Sequence, residues 1–512
     1  MQKDKGLAMS KEKLLLGIDL GTSGCKITLI DQKGRVIAED MEEIKSRHLH
    51  PGWSEQAPDE WYNAICRVLQ RMRRHSAWQA DKIAGIALDG STHNAVLLDR
   101  DFKVLRPVIM WTDQRSVEEV ARLENNYGKR IFRTTYQRPS PTWTLPQLMW
   151  IQRHEPEVLR KTAHIMFAKD YLRYRLTGTW ETDYIEAQGT LFYDMKAQEW
   201  SEELCSYAGI SLEVLPPLVK PTDIVGEVTE EASRITGLPA GIPVAAGCSD
   251  SAVEDYAAGA VEPGQCIIKL ATAGNVNVMT DTPYPHPQTL TYSHVIPGLW
   301  YTVVATNTAA SAKRWFRELF CAEEVEKARG QNKSPYEIMD ARAAQVAAGS
   351  EGLFFHPYLL GERAPYWDPY LRASFTGVSM QHDKGHFLRS VLEGVAYSIR
   401  DCYGILEDMK LPVNEIRLIG GGAKSKLWCR IVSDILGREI LVPAVGDASF
   451  GAALLAGVGV GVFRNEKEAI ESCVEIADSF KPDYDSHEKY TGMFDTYRRI
   501  CSSLADIYRQ SV

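Results

Sequence analysis

The chain has 512 residues, which is too long for one hydrophobic core and predicts two domains of roughly 250 residues each. With 45% hydrophobic and 24% charged residues, its composition is typical of a soluble globular enzyme. A net charge of −9 argues against a nucleic-acid binder, because such a protein needs a basic face to neutralise phosphates.

The N-terminal segment and the cysteines bear on where the protein works. Residues 1–13 are charged and lack the apolar region of a signal peptide, so we expect a disordered lead-in. No apolar run reaches the roughly 18 residues of a membrane span. Ten cysteines without a CxxC pair favour reduced thiols. We therefore expect a cytoplasmic protein with no membrane or nucleic-acid partner.

The first predicted elements are two strands joined by a tight turn, within Leu14–Asp31. The turn from Gly21 to Gly24 has no large side chain, so its backbone N–H groups can approach a phosphate closely. Asp19 comes just before it, where a carboxylate could hold Mg²⁺. Taken alone, the pattern also fits an ordinary hairpin with a glycine-rich turn.

Two later strands of the first half end in polar side chains. The strand predicted over residues 82–89 is followed by the polar segment 91–94, and the strand over 108–111 by Asp113 and Arg115. Polar residues at the carboxyl ends of buried strands are well placed for ligand contact in α/β sheets. A solvated turn and a helix-capping pair are the alternative interpretations.

A carboxylate and a second hairpin follow near the middle of the chain. Asp250 lies between a predicted buried strand and an apolar helix, where it could be an N-cap or a catalytic group. In the second hairpin, Cys266–Met279, residues 270–274 repeat the Leu, Thr and Gly of residues 20–24 at the same spacing. The repeat predicts two similar halves that each present a phosphate-binding hairpin to a shared cleft, and this favours catalysis by Asp250.

A third loop in the second half suits a nucleotide. A strand over Glu415–Ile419 runs into three glycines, Gly420 to Gly422, and a helix follows over Lys426–Leu436. Backbone without side chains can lie flat against a base or a phosphate. A tight packing turn is the alternative.

These segments together resemble the FGGY family of carbohydrate kinases, over nearly the whole chain after Lys13. Ala373–Val378, followed by His386–Glu393, is similar to the family's second signature. Four further stretches agree with the family, namely residues 17–26, 169–178, 361–365 and 418–428.

The resemblance implies an α/β fold of two ribonuclease-H-like domains of the actin/hexokinase type. Residues 14–255 would be the N-terminal sugar-binding domain and residues 256–512 the C-terminal nucleotide-binding domain, with the active site in the cleft between them. ATP and Mg²⁺ are the implied cofactors.

The implied reaction is phosphorylation of a hydroxyl of a small sugar, first of all D-xylulose to D-xylulose 5-phosphate. Of residues 91–94, only His93 matches the branch that phosphorylates xylulose, so gluconate and other ketoses or polyols are retained as alternatives. A catalytically silent sugar- or nucleotide-binding regulator is the non-enzyme alternative. The oligomeric state is left open, a homodimer included.

The resemblance also assigns roles to single residues. Asp19 is placed at the metal, and Asp250 is the catalytic base and a substrate contact. The other implied sugar contacts are Thr92, His93, Trp111 and Asp113. The implied nucleotide and phosphate contacts are Gly21, Thr22, Ser23, Lys26, Thr272, Gly274, Gly421, Gly422 and Ala423.

Overall fold

The structure is a computed structural model that describes residues 13–510, so most of the predicted lead-in lies outside the described residues. The chain divides into two compact units. Unit 1 comprises the described residues up to Ala257 together with Asp447–Val474, and unit 2 comprises Ala258–Gly446 with the residues from Glu475 on. The segment Asp447–Val474, which the sequence places in the second domain, thus packs with the first unit.

Strands and helices alternate along both units. In chain order, the strands are β1 (Leu14–Gly21), β2 (Gly24–Asp31), β3 (Val36–Glu43), β4 (Glu55–Gln56), β5 (Ile83–Gly90), β6 (Ala95–Leu98), β7 (Val108–Ile109), β8 (His164–Phe167), β9 (Thr182–Asp183), β10 (Tyr193–Asp194), β11 (Glu199–Trp200), β12 (Leu218–Val219), β13 (Ile224–Glu227), β14 (Pro243–Ala245), β15 (Cys248–Ser249), β16 (Gln265–Leu270), β17 (Gly274–Thr280), β18 (Leu290–Ser293), β19 (Trp300–Thr306), β20 (Phe354–His356), β21 (Ser374–Thr376), β22 (Glu415–Ile419), β23 (Ile440–Pro443) and β24 (Ile476–Phe480). The helices are α1 (Pro58–Met72), α2 (Val117–Thr135), α3 (Thr144–His154), α4 (Pro156–Lys161), α5 (Ala168–Thr177), α6 (Tyr184–Gln188), α7 (Glu202–Tyr207), α8 (Glu230–Thr236), α9 (Asp250–Ala257), α10 (Ala310–Phe320), α11 (Ala322–Gln331), α12 (Pro335–Ala343), α13 (Lys384–Asp408), α14 (Lys426–Leu436), α15 (Ala448–Gly459), α16 (Glu466–Cys473) and α17 (Tyr484–Gln510).

Each unit is built on a seven-stranded sheet, and the two sheets share one topology. In unit 1 the order is β3-β2-β1-β5-β14-β13, with β15 also pairing with β5. In unit 2 the corresponding order is β19-β17-β16-β22-β23-β24, extended by β18 at the edge next to β19. The first three strands of each order are antiparallel, the next two are parallel to the third, and the last is antiparallel again. The two similar halves that the repeated hairpin predicts are therefore confirmed.

Helix α15 belongs to unit 1 because its small residues let it lie directly on strand β1. A Cβ atom at Gly17 would fall 1.8 Å from the backbone oxygen of Ser449 and 2.6 Å from the nitrogen of Ala453. The hydroxyls of Thr28 and Ser449 also share a hydrogen bond of 2.7 Å. This close approach explains why the chain returns to unit 1 after residue 446.

Each unit has its own hydrophobic core. In unit 1, the inward residues of β1, β2 and β5 pack with the apolar face of α1, whose Trp61 and Ile65 are fully buried. In unit 2, the 25-residue helix α13 lies along the sheet and buries Val395 and Ile399. Between residues 13 and 510, no helix combines the length and the apolar character needed to cross a membrane.

One strand of unit 1 has no local signal in the sequence. Most of Thr144–Leu176 is helical, but the chain leaves α4 to form strand β8 before α5 begins. β8 pairs antiparallel with β6, with Ala95 opposite Phe167 and Leu98 opposite His164. Four apolar or aromatic residues cannot reveal such a partner from local periodicity, because the partner lies about 70 residues away in the chain.

Candidate active site

Three carboxyl groups meet where the central strands of unit 1 end. Asp19 of β1 lies beside Asp89 of β5 in parallel register, and Asp89 lies in turn beside Cys248 of β15. Asp250 follows two residues later as the first residue of α9. Because these strands are parallel, their carboxyl ends share one edge of the sheet, and this is the edge at which α/β proteins bind ligands.

The charges at this edge act strongly on one another. Burial and the neighbouring Asp250 carboxylate raise the pKa of Asp19 to about 7. Burial and the Asp19 carboxylate raise the pKa of Asp89 well above its usual value. Two adjacent carboxylates in a poorly solvated position disfavour their own ionisation. The site therefore favours a bound cation.

The ligand chemistry of this edge fits Mg²⁺. Carboxylate oxygens are hard ligands, and Mg²⁺ is usually held by one or two carboxylates together with waters and substrate phosphates. Within the described part of the chain, no group of three or more His, Cys, Asp or Glu side chains is arranged as a complete metal cage. Asp19, which is partly open to solvent, is the residue that would hold the ion.

The first glycine-rich turn is held in place from both sides. The indole N–H of Trp111 donates to the hydroxyl of Thr22 over 2.8 Å, and the Gln56 amide donates to the Thr22 carbonyl over 2.7 Å. The carbonyl of Ser23 accepts from the N–H of Ile44 over 2.9 Å. Trp111, which the resemblance assigns to the sugar, thus supports the first glycine-rich turn.

Lys26 follows the turn on strand β2. Its ammonium lies 2.9 Å from both the Asp447 and the Glu39 carboxylates. Lys26 is opposite Asp19 in the antiparallel register, but its charge is shared with these two other acids.

In unit 2, the second turn is anchored through its carbonyl groups. The Thr272 carbonyl accepts from the N–H of Ala309 over 2.9 Å and from the hydroxyl of Ser311 over 2.6 Å. The side chain of Thr272 is exposed. Gly274 is confined, since a Cβ there would lie 2.8 Å from the Thr306 side chain. The turn thus presents a threonine and backbone groups from a fixed position.

Of the three glycines after β22, two are tightly packed against the protein and one borders open space. Gly420 has φ +87°, and a Cβ there would lie 2.7 Å from the carbonyl oxygen of Leu270. A Cβ at Gly422 would lie 2.5 Å from the Leu270 side chain. Gly421 instead borders open space and begins the 3₁₀ turn Gly421–Lys424. Packing therefore accounts for two of the glycines, and Gly421 is the one whose backbone a ligand could approach.

His93, a predicted sugar contact, is buried in unit 1. Its ring packs on Gly189, where a Cβ would fall 1.4 Å from the ring, and lies 4.9 Å from the ring of Trp143. Burial lowers the pKa of His93 to about 3, so the imidazole is neutral at physiological pH. Its Nδ1 lies 4.0 Å from a carboxyl oxygen of Glu186. Thr92, the preceding predicted contact, is only partly buried.

Asp113 is engaged by an arginine. Its carboxylate accepts from Nε and Nη2 of Arg115 over 2.9 and 2.8 Å, and from the N–H of Ser54 over 2.5 Å. The remaining Arg115 Nη1 donates to Glu55 over 2.7 Å. Both partners are almost fully buried. The role of Asp113 as a sugar contact remains a prediction, because its hydrogen-bonding capacity is largely used within the protein.

Sequence reasoning missed Asp89 and Glu186. Asp89 lies near the end of the apolar strand β5. A single acid in such a strand is the only local feature that could have marked it as a functional residue. Its register with Asp19 joins residues 70 positions apart. Glu186 lies in a stretch of mixed polarity, and nothing local marks it as buried beside His93 and near the ion pair of Lys169 with Asp183.

Comparison with known proteins places this geometry in a family. The model of the FGGY family of carbohydrate kinases matches residues 14–255 with its N-terminal domain and 268–460 with its C-terminal domain. A xylulose kinase from Staphylococcus epidermidis is 34% identical, and the match covers 96% of each chain. A gluconokinase from Bacillus subtilis is 28% identical, with 97% of each chain covered.

A solved structure agrees with these relatives. The crystal structure of xylulose kinase from Rhodospirillum rubrum has a TM-score of 0.85 and 29% identity, covering 97% of this chain and 100% of that one. The predicted two-domain kinase fold and the predicted enzymatic class are thereby confirmed. The chain belongs to the FGGY family of carbohydrate kinases.

Proposed function

We propose that the enzyme transfers the terminal phosphoryl group of ATP to a hydroxyl of D-xylulose and forms D-xylulose 5-phosphate. The observation that carries this choice of acceptor is the charge balance on the sugar side of unit 1. A neutral ketose needs hydrogen bonds there, whereas gluconate would also need a cation for its carboxylate.

Two buried basic residues of unit 1, Arg115 and Lys169, already have acidic partners. Arg115 is bonded to both Asp113 and Glu55. Lys169 is paired with two buried acids, at 2.5 Å from Asp170 and 2.8 Å from Asp183. A sugar acid would therefore have to disrupt an existing ion pair, which is costly for buried groups.

The titratable group beside His93 is an acid and not a cation. Glu186 has 1% of its surface exposed, and burial raises its pKa well above the usual value against the opposing effect of Lys169. Whether neutral or ionised, Glu186 offers a substrate carboxylate no positive charge. The similarity to curated xylulose kinases over nearly the whole chain supports the same choice.

Asp250 is proposed as the general base of the reaction. It begins α9 at the carboxyl edge of the sheet, and it is close enough to Asp19 to influence the pKa of that residue. In this role, Asp250 accepts the proton of the attacking sugar hydroxyl. Phosphoryl transfer depends more on positioning and charge neutralisation than on covalent chemistry, so one base and well-placed donors suffice.

The two turns are proposed to hold phosphates. Backbone N–H groups around Thr22 and Ser23 in unit 1, and around Thr272 in unit 2, are the donors. Gly421 to Ala423 provide a flat backbone surface for the adenosine. Bound Mg²⁺ at Asp19 would neutralise phosphate charge and help to orient the transferred group.

An ADP-release assay over a panel of acceptors tests this proposal. D-Xylulose, D-ribulose, glycerol and gluconate are compared at equal ATP and Mg²⁺. We expect kcat/KM for D-xylulose to exceed that for gluconate by ~10-fold or more, because the gluconate carboxylate lacks a partner. A preference for gluconate would overturn the choice of acceptor, and no turnover with any acceptor would favour the silent regulator.

We also propose that the enzyme works in the cytoplasm. All ten cysteines are free, and nine of them are buried. A chain with this many unpaired thiols suits a reducing compartment.

A further inference from the structure

Asp89 is a buried acid that the proposed reaction does not use. It lies on β5 directly beside Asp19, and none of its surface is exposed. Among residues 13–510, no amide, hydroxyl or cationic group donates to its carboxyl oxygens, and the side chain that can share a hydrogen bond with it is that of Asp19, another acid. A fully buried acid whose hydrogen-bonding neighbour is a second acid is left poorly satisfied once both ionise, because each unsatisfied polar atom costs free energy.

The neighbours of Asp89 do not compensate its charge. Lys26, the cation opposite Asp19 on β2, is bonded to Glu39 and Asp447. On the other side, Asp89 lies beside Cys248. Its register partner on β1, Asp19, is a second carboxylate. The pair is therefore a set of oxygen ligands without a counter-ion of its own.

We propose that Asp89 joins Asp19 as a ligand of the divalent cation, so that the two carboxylates form one site on neighbouring strands. This deepens the proposed function, in which Asp19 alone is assigned to the metal. A divalent cation compensates both negative charges and satisfies the Asp89 oxygens. Two carboxylates plus phosphate oxygens and waters are the ligand set that Mg²⁺ typically takes.

The two acids differ in solvent exposure, so they have different roles in the proposed metal site. Asp19 is partly exposed, so a hydrated ion bound to it can also meet a phosphate. Asp89, beside it on β5, is closed off from solvent. Asp89 thus holds the ion from the protein side, and its carboxylate is pre-positioned by the strand register and not by a flexible loop.

Binding of Mn²⁺, a spectroscopic substitute for Mg²⁺, tests the proposal without any sugar. Free Mn²⁺ is measured by electron paramagnetic resonance in titrations of the full chain, with and without ADP. We expect Asp89→Asn to weaken Mn²⁺ binding ~10- to 100-fold, and Asp89→Ala to weaken it at least as much. Because the measurement involves no phosphoryl transfer, its result is independent of which acceptor the enzyme uses.

Two controls separate ligation from general effects. Glu254→Gln removes another acid that raises the pKa of Asp19, and it should change Mn²⁺ affinity less than threefold. Thermal unfolding without metal should show Asp89→Asn at least as stable as the unaltered protein, because a buried repulsion is removed. Unchanged Mn²⁺ affinity in both Asp89 variants would overturn the proposal. So would an equal loss in Glu254→Gln, since the effect would then be one of overall charge.

Discussion

The two hairpins follow the same chain path but differ in the sign of the charge at one matched position. Asp19 precedes Leu20 at the end of β1, and Lys269 precedes Leu270 at the end of β16. The parallel neighbour of Asp19 is Asp89, whereas that of Lys269 is Ile419. The matched position is thus one of two neighbouring acids in unit 1 and a lysine in unit 2.

This difference indicates how a repeated fold can acquire two tasks. In the proposed function, the neighbouring acids of the first hairpin suit a metal ion, whereas the lysine at the matched position of the second hairpin does not. Strand order and register are preserved, so the specialisation lies in a few side chains at the strand ends. Variants in unit 1 should therefore affect turnover, and variants at the open surface of unit 2 should affect nucleotide binding.

The largest effect is expected for Asp250→Asn. Without the carboxylate, the attacking hydroxyl loses its base, and we expect kcat to fall ~10²- to 10⁴-fold. Binding of a non-hydrolysable ATP analogue should stay within about threefold, as measured by calorimetry. A variant that keeps near-normal turnover would remove Asp250 from the reaction and weaken the division of tasks between the two hairpins.

Stability is expected to respond in opposite directions at two glycines. Gly17→Ala forces a Cβ into the backbone of α15, and overpacking of this kind costs ~3 kcal/mol or more of the free energy of unfolding. Gly404→Ala, within α13 of unit 2, meets no atom within 4 Å and should add up to ~1 kcal/mol. Urea unfolding measures both changes. A neutral Gly17→Ala would contradict the close contact of β1 with α15.

These elements also show how far sequence alone could go. The hairpins, the glycine loop and Asp250 were predictable because each is a local pattern of a few residues. The return of Asp447–Val474 to unit 1 was not, because it depends on Gly17 accepting a helix that begins 431 positions later. The position of Asp89 beside Asp19 was not predictable either, because it follows from the pairing of β1 with β5. Contacts between distant segments were therefore the part that the sequence left undetermined.

Within the glycine loop of unit 2, substitutions at two neighbouring glycines should distinguish an effect on ATP binding from an effect on stability. Gly421→Val adds a side chain in open space, so we expect the KM for ATP to rise ~10-fold with an unchanged unfolding midpoint. Gly422→Ala instead presses on Leu270 and should lower the unfolding midpoint. Steady-state kinetics and thermal melts of both variants give the comparison. An unchanged KM in Gly421→Val would move the nucleotide away from this loop.

The smallest effect concerns pH and belongs to the sugar side of unit 1. Because burial holds the pKa of His93 at about 3, its ring stays neutral from pH 5.5 to 8 and contributes no ionisation to kcat/KM in that range. The unfolded chain takes up a proton near pH 6.5, so His93 makes the folded state less stable as the pH falls from about 6.5 towards 3. We therefore expect His93→Asn to lower kcat/KM without changing the shape of its pH profile. Loss of an acid limb near pH 6.5 in that variant would show that His93 titrates, and that the sugar side is wetter than its packing on Gly189 implies.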